Sequence, residues 1–210
     1  MNLFLFAFGA LFSIINPLGT VPVFVSLTGN QSKQAKSRIA LRTSRNVLFI
    51  LLISFFLGKY LLILFGISVN SLKIAGGLII ATSGFALLSG KFNEHKGIKK
   101  EKVKRDIETR SEITLTPLAI PMLAGPGTIS LLITYKQEYD DLTSVVLIIA
   151  AILAATISIY FILRSSNYIE RVLGASGINA LSRIIGFIVI AIGVEYVTSA
   201  LINVLRISGL

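Results

Sequence analysis

Runs of about 20 apolar residues, each long enough to cross roughly 30 Å of hydrocarbon, recur six times along this 210-residue chain. Lipid offers no hydrogen-bond partners, so a spanning segment of this kind closes its backbone bonds internally, as a helix. The runs lie near Leu3–Leu27, Val47–Phe65, Val69–Leu88, Leu115–Tyr135, Leu142–Leu163 and Ile184–Leu205. A composition that is 54% hydrophobic, with a mean hydropathy of +0.82, excludes a soluble globular domain. The first run has no basic segment ahead of it and continues through Leu27, so it reads as a span and not as a cleaved leader. With no cysteine there is no disulfide, no thiolate nucleophile and no Cys-ligated metal. An all-α integral membrane protein follows, with no cofactor expected.

The net charge of +10 is unevenly placed. Lys33, Lys36, Arg38, Arg42 and Arg45 occupy the first connection without an acid. The third runs from Gly90 to Glu112 with eight basic residues against five acids, and the fifth has Arg164, Arg171 and Arg183 against Glu170. The second is short, and the fourth sets Lys136 against Glu138, Asp140 and Asp141. Basic connections stay on the cytoplasmic side. This places loops 28–46, 90–113 and 164–183 in the cytoplasm and both termini outside, in a multi-pass protein of the cell (inner, cytoplasmic) membrane. Basic residues confined to such loops, with no separate basic domain or aromatic-basic face, argue against nucleic acid as a partner.

The hydrophilic stretch from Gly90 to Glu112 divides the chain into a first unit of three runs (1–89), a charged cytoplasmic loop (90–113) and a second unit of three runs (114–210). The units can be laid on each other. Gly66 falls opposite Gly174, Ser68 opposite Ser176, Asn70 opposite Asn179, Leu72 opposite Leu181 and Lys73 opposite Arg183. Gly76 then falls opposite Gly186, and Asn-Pro-Leu-Gly-Thr at 16–20 opposite Gly-Pro-Gly-Thr at 125–128. The offset stays near about 109 residues, within small gaps. An odd number of spans per unit turns the second copy upside down, so the expected architecture is six helices in two inverted three-helix repeats.

The two matched Pro-Gly clusters break otherwise apolar runs near their middles. Proline removes a backbone donor and clashes with the preceding turn, at about 3 kcal/mol in a helix interior. The first and fourth helices are therefore expected to be discontinuous, with second halves beginning at Thr20 and Thr128 as N-caps. First halves would end near Ile14–Asn16 and Leu123–Gly125. Free N–H groups at a helix start attract an anion, and free carbonyls at a helix end accept from a cation. Together they suit a small zwitterion at the bilayer midplane. Small residues in the third and sixth runs (Gly76, Gly77, Ala81, Ser83, Gly84; Gly186, Ala191, Gly193) leave little room for a bulky cargo. Glu195, deep in the sixth run, is a candidate proton or cation site. Lys73 and Arg183, near run ends, are expected to reach toward the interface, and His95 to be solvated.

INPLGTVPVF, and PLAIPMLAGPGTIS with the basic stretch before it, resemble the MarC family, also known as the SnatA-type transporters. The resemblance covers essentially the whole chain. It implies a 3+3 inverted fold and proton-coupled uptake of small neutral amino acids such as glycine and alanine; Na⁺ stands as the alternative coupling ion. It also implies that Asn16, Pro17, Gly19, Thr20, Gly125, Pro126, Gly127 and Thr128 surround the substrate. Glu195 lies outside those motifs. Two other functions compete: export of a different small metabolite, and a non-transporting membrane factor acting through residues 90–112. An enzyme is disfavoured, because the spans hold no histidine, cysteine or carboxylate pair to act as base or nucleophile.

Overall fold

In a computed structural model of the chain, residues 2–29, 31–90 and 114–207 are described. The loop assigned above to 90–113, with His95, lies outside them from residue 91 on. All regular structure among the described residues is helical. The elements are α1 (Leu3–Ile15), α2 (Pro17–Thr28), α3 (Lys33–Phe65), α4 (Val69–Leu88), a π-helical segment (Thr114–Leu123), α5 (Pro126–Glu138), α6 (Leu142–Arg164) and α7 (Ser166–Ile207).

Five of the six apolar runs form helices long and apolar enough to cross a membrane, α1 and α2 counting together as Leu3–Thr28. The fourth run does not form one helix. It divides into ten π-helical residues and the thirteen of α5. Pro117, Pro121 and Pro126 each lack an N–H, so no regular ladder of bonds four residues apart can run through this stretch. The Ala124 N–H reaches instead to the Ala119 carbonyl, at 2.8 Å.

Two connections expected from sequence are largely helix. The stretch 28–46 contains the start of α3, capped by the Ser32 hydroxyl, which accepts from the Ala35 N–H at 3.2 Å. Lys, Arg, Gln and Ala are good helix formers, and no Gly or Pro intervenes between Lys33 and Arg45, so the helix extends past the hydrophobic run. The stretch 164–183 likewise forms the first part of α7, bent at Gly174 (φ 62°, ψ 174°). At the opposite end, α6 begins on Asp141, whose carboxylate accepts from the Ser144 N–H at 2.9 Å; that bond holds the carboxyl below its ordinary value.

The interrupted elements occupy the interior. Half of the α1–α2 span is buried, against a third for α3, α6 and α7. Five successive residues of α5, Leu131 to Tyr135, are buried, so that helix is enclosed all round. The first break is buried, and so are Gly125, Gly127 and Thr128 around an exposed Pro126 at the second; burial in protein is the condition under which irregular backbone is tolerated at membrane depth. The outer faces of α3, α4, α6 and α7 carry exposed Leu, Ile and Phe side chains such as Leu64, Phe85, Phe161 and Phe187.

Helix α4 packs most extensively against α7. The two run antiparallel and touch backbone to backbone: a methyl on Gly77 would lie 2.7 Å from the Gly193 carbonyl oxygen, and one on Gly84 would lie 2.7 Å from that of Gly186. Small residues are what let membrane helices approach this closely. Gly193→Ala should therefore force the helices apart at 2.6 Å contacts with the backbone of Gly77 and Ala81. The expected loss is about 1–3 kcal/mol, read as a lowered unfolding temperature in detergent. Gly9→Ala, where a methyl meets nothing within 4 Å, is the neutral control.

Candidate functional site

At the first break a single residue does the work of two caps. Asn16 adopts the left-handed conformation (φ 46°, ψ 66°), the only positive φ outside glycine among the described residues. Its N–H donates to the Phe12 carbonyl at 3.0 Å and ends α1. Its side-chain Oδ1 accepts from the Gly19 N–H at 3.2 Å and starts α2. Asparagine visits this region at less strain than most residues because its short side chain bonds locally. Pro17 then takes the first helical position, where its missing N–H is no loss.

At the second break α5 starts at Pro126 after an extended Gly125 (φ −82°, ψ 171°), which caps without a side chain. Proline again holds the first helical position. Thr20 and Thr128 are thus not the N-caps expected from sequence. The reason is Pro17 and Pro126, whose fixed φ and missing donor pull each helix start upstream. Thr20 instead turns its hydroxyl back to the Asn16 carbonyl at 3.4 Å. The first halves end where expected, at Ile15 and Leu123.

Asn16, Pro17, Gly19, Thr20, Gly125, Gly127 and Thr128 are all buried, while Pro126 is exposed. The two breaks share surroundings: a methyl on Gly127 would stand 3.0 Å from Ile80 of α4 and 3.7 Å from Ile14 at the end of α1. Polar side chains gather around the first break. A methyl on Gly19 would run into the Asn16 amide and come within 3.2 Å of the Ser182 hydroxyl of α7. Asn16 Nδ2 and Ser182 Oγ are both buried without a hydrogen-bond partner among the described residues. A buried donor left unpaired is costly by about 1–3 kcal/mol, so such atoms call for an acceptor from elsewhere. With the first-turn N–H groups of α2 and α5 that no cap occupies (that of Gly19 is taken by Asn16 Oδ1), they make a set of donors suited to a carboxylate.

Ser182 escaped the sequence reading. It falls in the gap between the matched Leu181 and Arg183, so comparing the two halves passes over it. A second polar group was also missed. Lys73, expected to reach for the interface, is buried and forms an ion pair with Glu138 at the end of α5. Its ammonium lies 5.8 Å from the centre of the Tyr196 ring. Close by, the Ser130 hydroxyl of α5 fills the space over Gly76 and donates to the Leu72 carbonyl at 3.3 Å. Lys73 cannot reach outward because α4 is clamped here between α5 and α7.

Glu195 is placed differently from the break residues. Helix α7 turns Gly193 and Tyr196 inward and presents Glu195 on its exposed face, with Ala191 and Thr198 a turn to either side.

The sequence matches the family described as MarC family integral membrane protein over residues 1–205. It is 37% identical to UPF0056 membrane protein YhcE of Escherichia coli (strain K12), covering 92% of this chain and 89% of that one. It is 32% identical to UPF0056 membrane protein BU267 of Buchnera aphidicola, over 96% and 93% of the two chains, and 34% identical to UPF0056 inner membrane protein MarC of Citrobacter koseri, over 93% and 92%. No solved structure matches.

Proposed function

The chain belongs to the MarC family of integral membrane proteins, and from that premise we propose that it is a secondary transporter for small neutral amino acids of the glycine and alanine type, working by alternating access. The observation that carries the reading is the pair of interrupted helices at the centre of the bundle, with buried donors at their starts. The cargo's carboxylate is met by Asn16 Nδ2, the Ser182 hydroxyl and the first-turn N–H groups of α2 and α5. Its ammonium is met by carbonyls at the ends of α1 and the π-helical segment. Ile80 and Ile14, at 3.0 and 3.7 Å from a methyl placed on Gly127, crowd the second break, and the close α4–α7 contact adds to that crowding, which favours a cargo with a small side chain. Nothing in this reading requires enzymatic chemistry.

The inverted repeat is part of the proposal, with six spans, the basic connections in the cytoplasm and both termini outside. Its support is geometric. Gly66 and Gly174, paired by the sequence, both adopt positive φ, at 63° and 62°. Both breaks carry proline at the first helical position. A displacement of 109 residues carries Gly77 to Gly186 and Gly84 to Gly193, so it exchanges the two backbone contacts of α4 and α7 with each other. The pairing that serves the repeat is thus Gly77 with Gly186, one residue from the Gly76 match read off the sequence. The inner membrane is the proposed location, as in the name of the Citrobacter relative.

In this reading the coupling proton is carried by Glu195. Its place on the outer face means that it acts on how α7 sits in its surroundings and does not touch the cargo. Proteoliposomes with an imposed pH gradient test both points. Labelled glycine or alanine should accumulate, and Glu195→Gln should lose gradient-driven accumulation while keeping exchange of internal for external substrate. Absence of any gradient-dependent flux contradicts the transporter; unchanged accumulation in Glu195→Gln moves the proton elsewhere.

A further inference from the structure

A groove of about 480 Å³ opens between α3 and α6, apart from the helix breaks. Arg38, Arg42 and Arg45 line it at one end, spaced so that all three share one face of α3. Its floor is apolar, built from Leu48, Leu153 and Ile157. We propose that this groove is a binding site for an anionic phospholipid, its phosphate held by the three arginines and an acyl chain lying along the floor.

Charge is the first argument. Neither α3 nor α6 contains an Asp or Glu. The ion pairs among the described residues, Lys73–Glu138 and Lys136–Asp140, leave the three arginines out. Three guanidinium groups within eight residues repel one another unless an anion lies between them. Guanidinium forks suit phosphate oxygens in paired hydrogen bonds. Tyr160, at the same end, is already engaged: its hydroxyl accepts from Arg164 at 2.9 Å, so that guanidinium is committed to the wall.

The second argument is the junction of polar and apolar surface. Ser44 lines the groove, is buried, and has a hydroxyl with no partner among the described residues. It stands on α3 between Arg42 and Arg45, so an unpaired hydroxyl joins the arginines at the head of the groove. Leu41 and Ile157 are more than half exposed, so the groove opens sideways along an apolar surface, as an acyl chain requires and a soluble phosphate does not. The arginines lie at the basic end of α3, the end that faces the anionic leaflet in the orientation proposed above. The site is independent of whether the protein transports anything.

The test is native mass spectrometry of the full-length protein in detergent, supplied with equal amounts of phosphatidylglycerol and phosphatidylcholine. Retention of phosphatidylglycerol should exceed that of phosphatidylcholine on the order of tenfold. Arg42→Gln/Arg45→Gln should bring the two close to parity. Ile157→Trp, which fills the floor and leaves every charge in place, should also reduce phosphatidylglycerol retention. Inorganic phosphate at millimolar concentration should not displace the lipid. Equal retention of both lipids by the unaltered protein overturns the proposal, as does a preference that survives either variant. Displacement by phosphate would mean a site for a free anion, which also overturns it. The altered side chains are all exposed, and monodisperse elution with an unchanged melting temperature verifies folding; should the double variant fail that check, Ile157→Trp decides alone.

Discussion

Asn16→Gly should leave the protein folded and lower kcat/KM for glycine uptake by about ten- to a hundredfold. Glycine adopts the left-handed conformation of Asn16 without strain, so the chain still turns between α1 and α2. Loss of the cap to Gly19 costs only a few tenths of a kcal/mol when the replacement is glycine. What disappears is Nδ2, the buried donor without a protein partner. A hydrogen bond to a charged group contributes about 1.5–3 kcal/mol, which sets the size of the loss. Asn16→Asp sharpens the test. It keeps the cap acceptor and nearly the same shape but offers a carboxylate a negative charge in place of a donor, so its uptake should fall at least as far. Asn16→Leu differs in kind: strain of about 1–2 kcal/mol and a lost cap of about 1 kcal/mol should show first as a lower melting temperature. Uptake in proteoliposomes and thermal unfolding in detergent separate the three. Normal uptake by the Gly or Asp variant would remove Asn16 from the substrate site.

The second large effect is an asymmetry in the Lys73–Glu138 pair, which ties α4 to α5. Lys73 is 7% exposed, whereas a third of the Glu138 side chain is accessible. Removing the accessible partner strands the enclosed charge, and breaking a buried pair in that way costs about 3–5 kcal/mol. Removing the enclosed partner leaves a carboxylate that water can reach, so the loss should be nearer 1 kcal/mol. Glu138→Gln should therefore destabilise the protein much more than Lys73→Met, and Lys73→Met/Glu138→Gln should recover most of the difference. Chemical or thermal unfolding of the four proteins in one detergent measures the cycle. Equal losses, or additive ones, would mean that the pair does not hold α4 against α5.

The spans were legible because hydrocarbon thickness sets their length, and the two breaks because proline cannot hide in a hydrophobic run. The conformation at each break was less so. Which residue caps α2 depends on Asn16 taking a left-handed turn that Pro17 then follows, a choice made by a single dihedral that no periodicity reports. The helical start of α3 was read as loop because its charges drew attention away from its propensity: Lys33 to Arg45 has good helix formers and no breaker. The fourth run met the apolar criterion as a whole but fell short in the structure, since three prolines divide its hydrogen bonding. Lys73 was misjudged because its burial is tertiary. Its fate is decided by Glu138 and Tyr196, distant in sequence and brought together only when α4, α5 and α7 pack. Glu195 was legible as an intramembrane acid, but the face of α7 on which it stands was not.

An experimentally determined structure with glycine or alanine bound is the most direct test of the central claim. The account predicts ligand density between the starts of α2 and α5, its carboxylate within hydrogen-bond distance of Asn16 Nδ2 and its ammonium facing the carbonyl ends of α1 and the π-helical segment. Ligand bound elsewhere in the bundle, or a first span running as unbroken helix through Pro17, would contradict it.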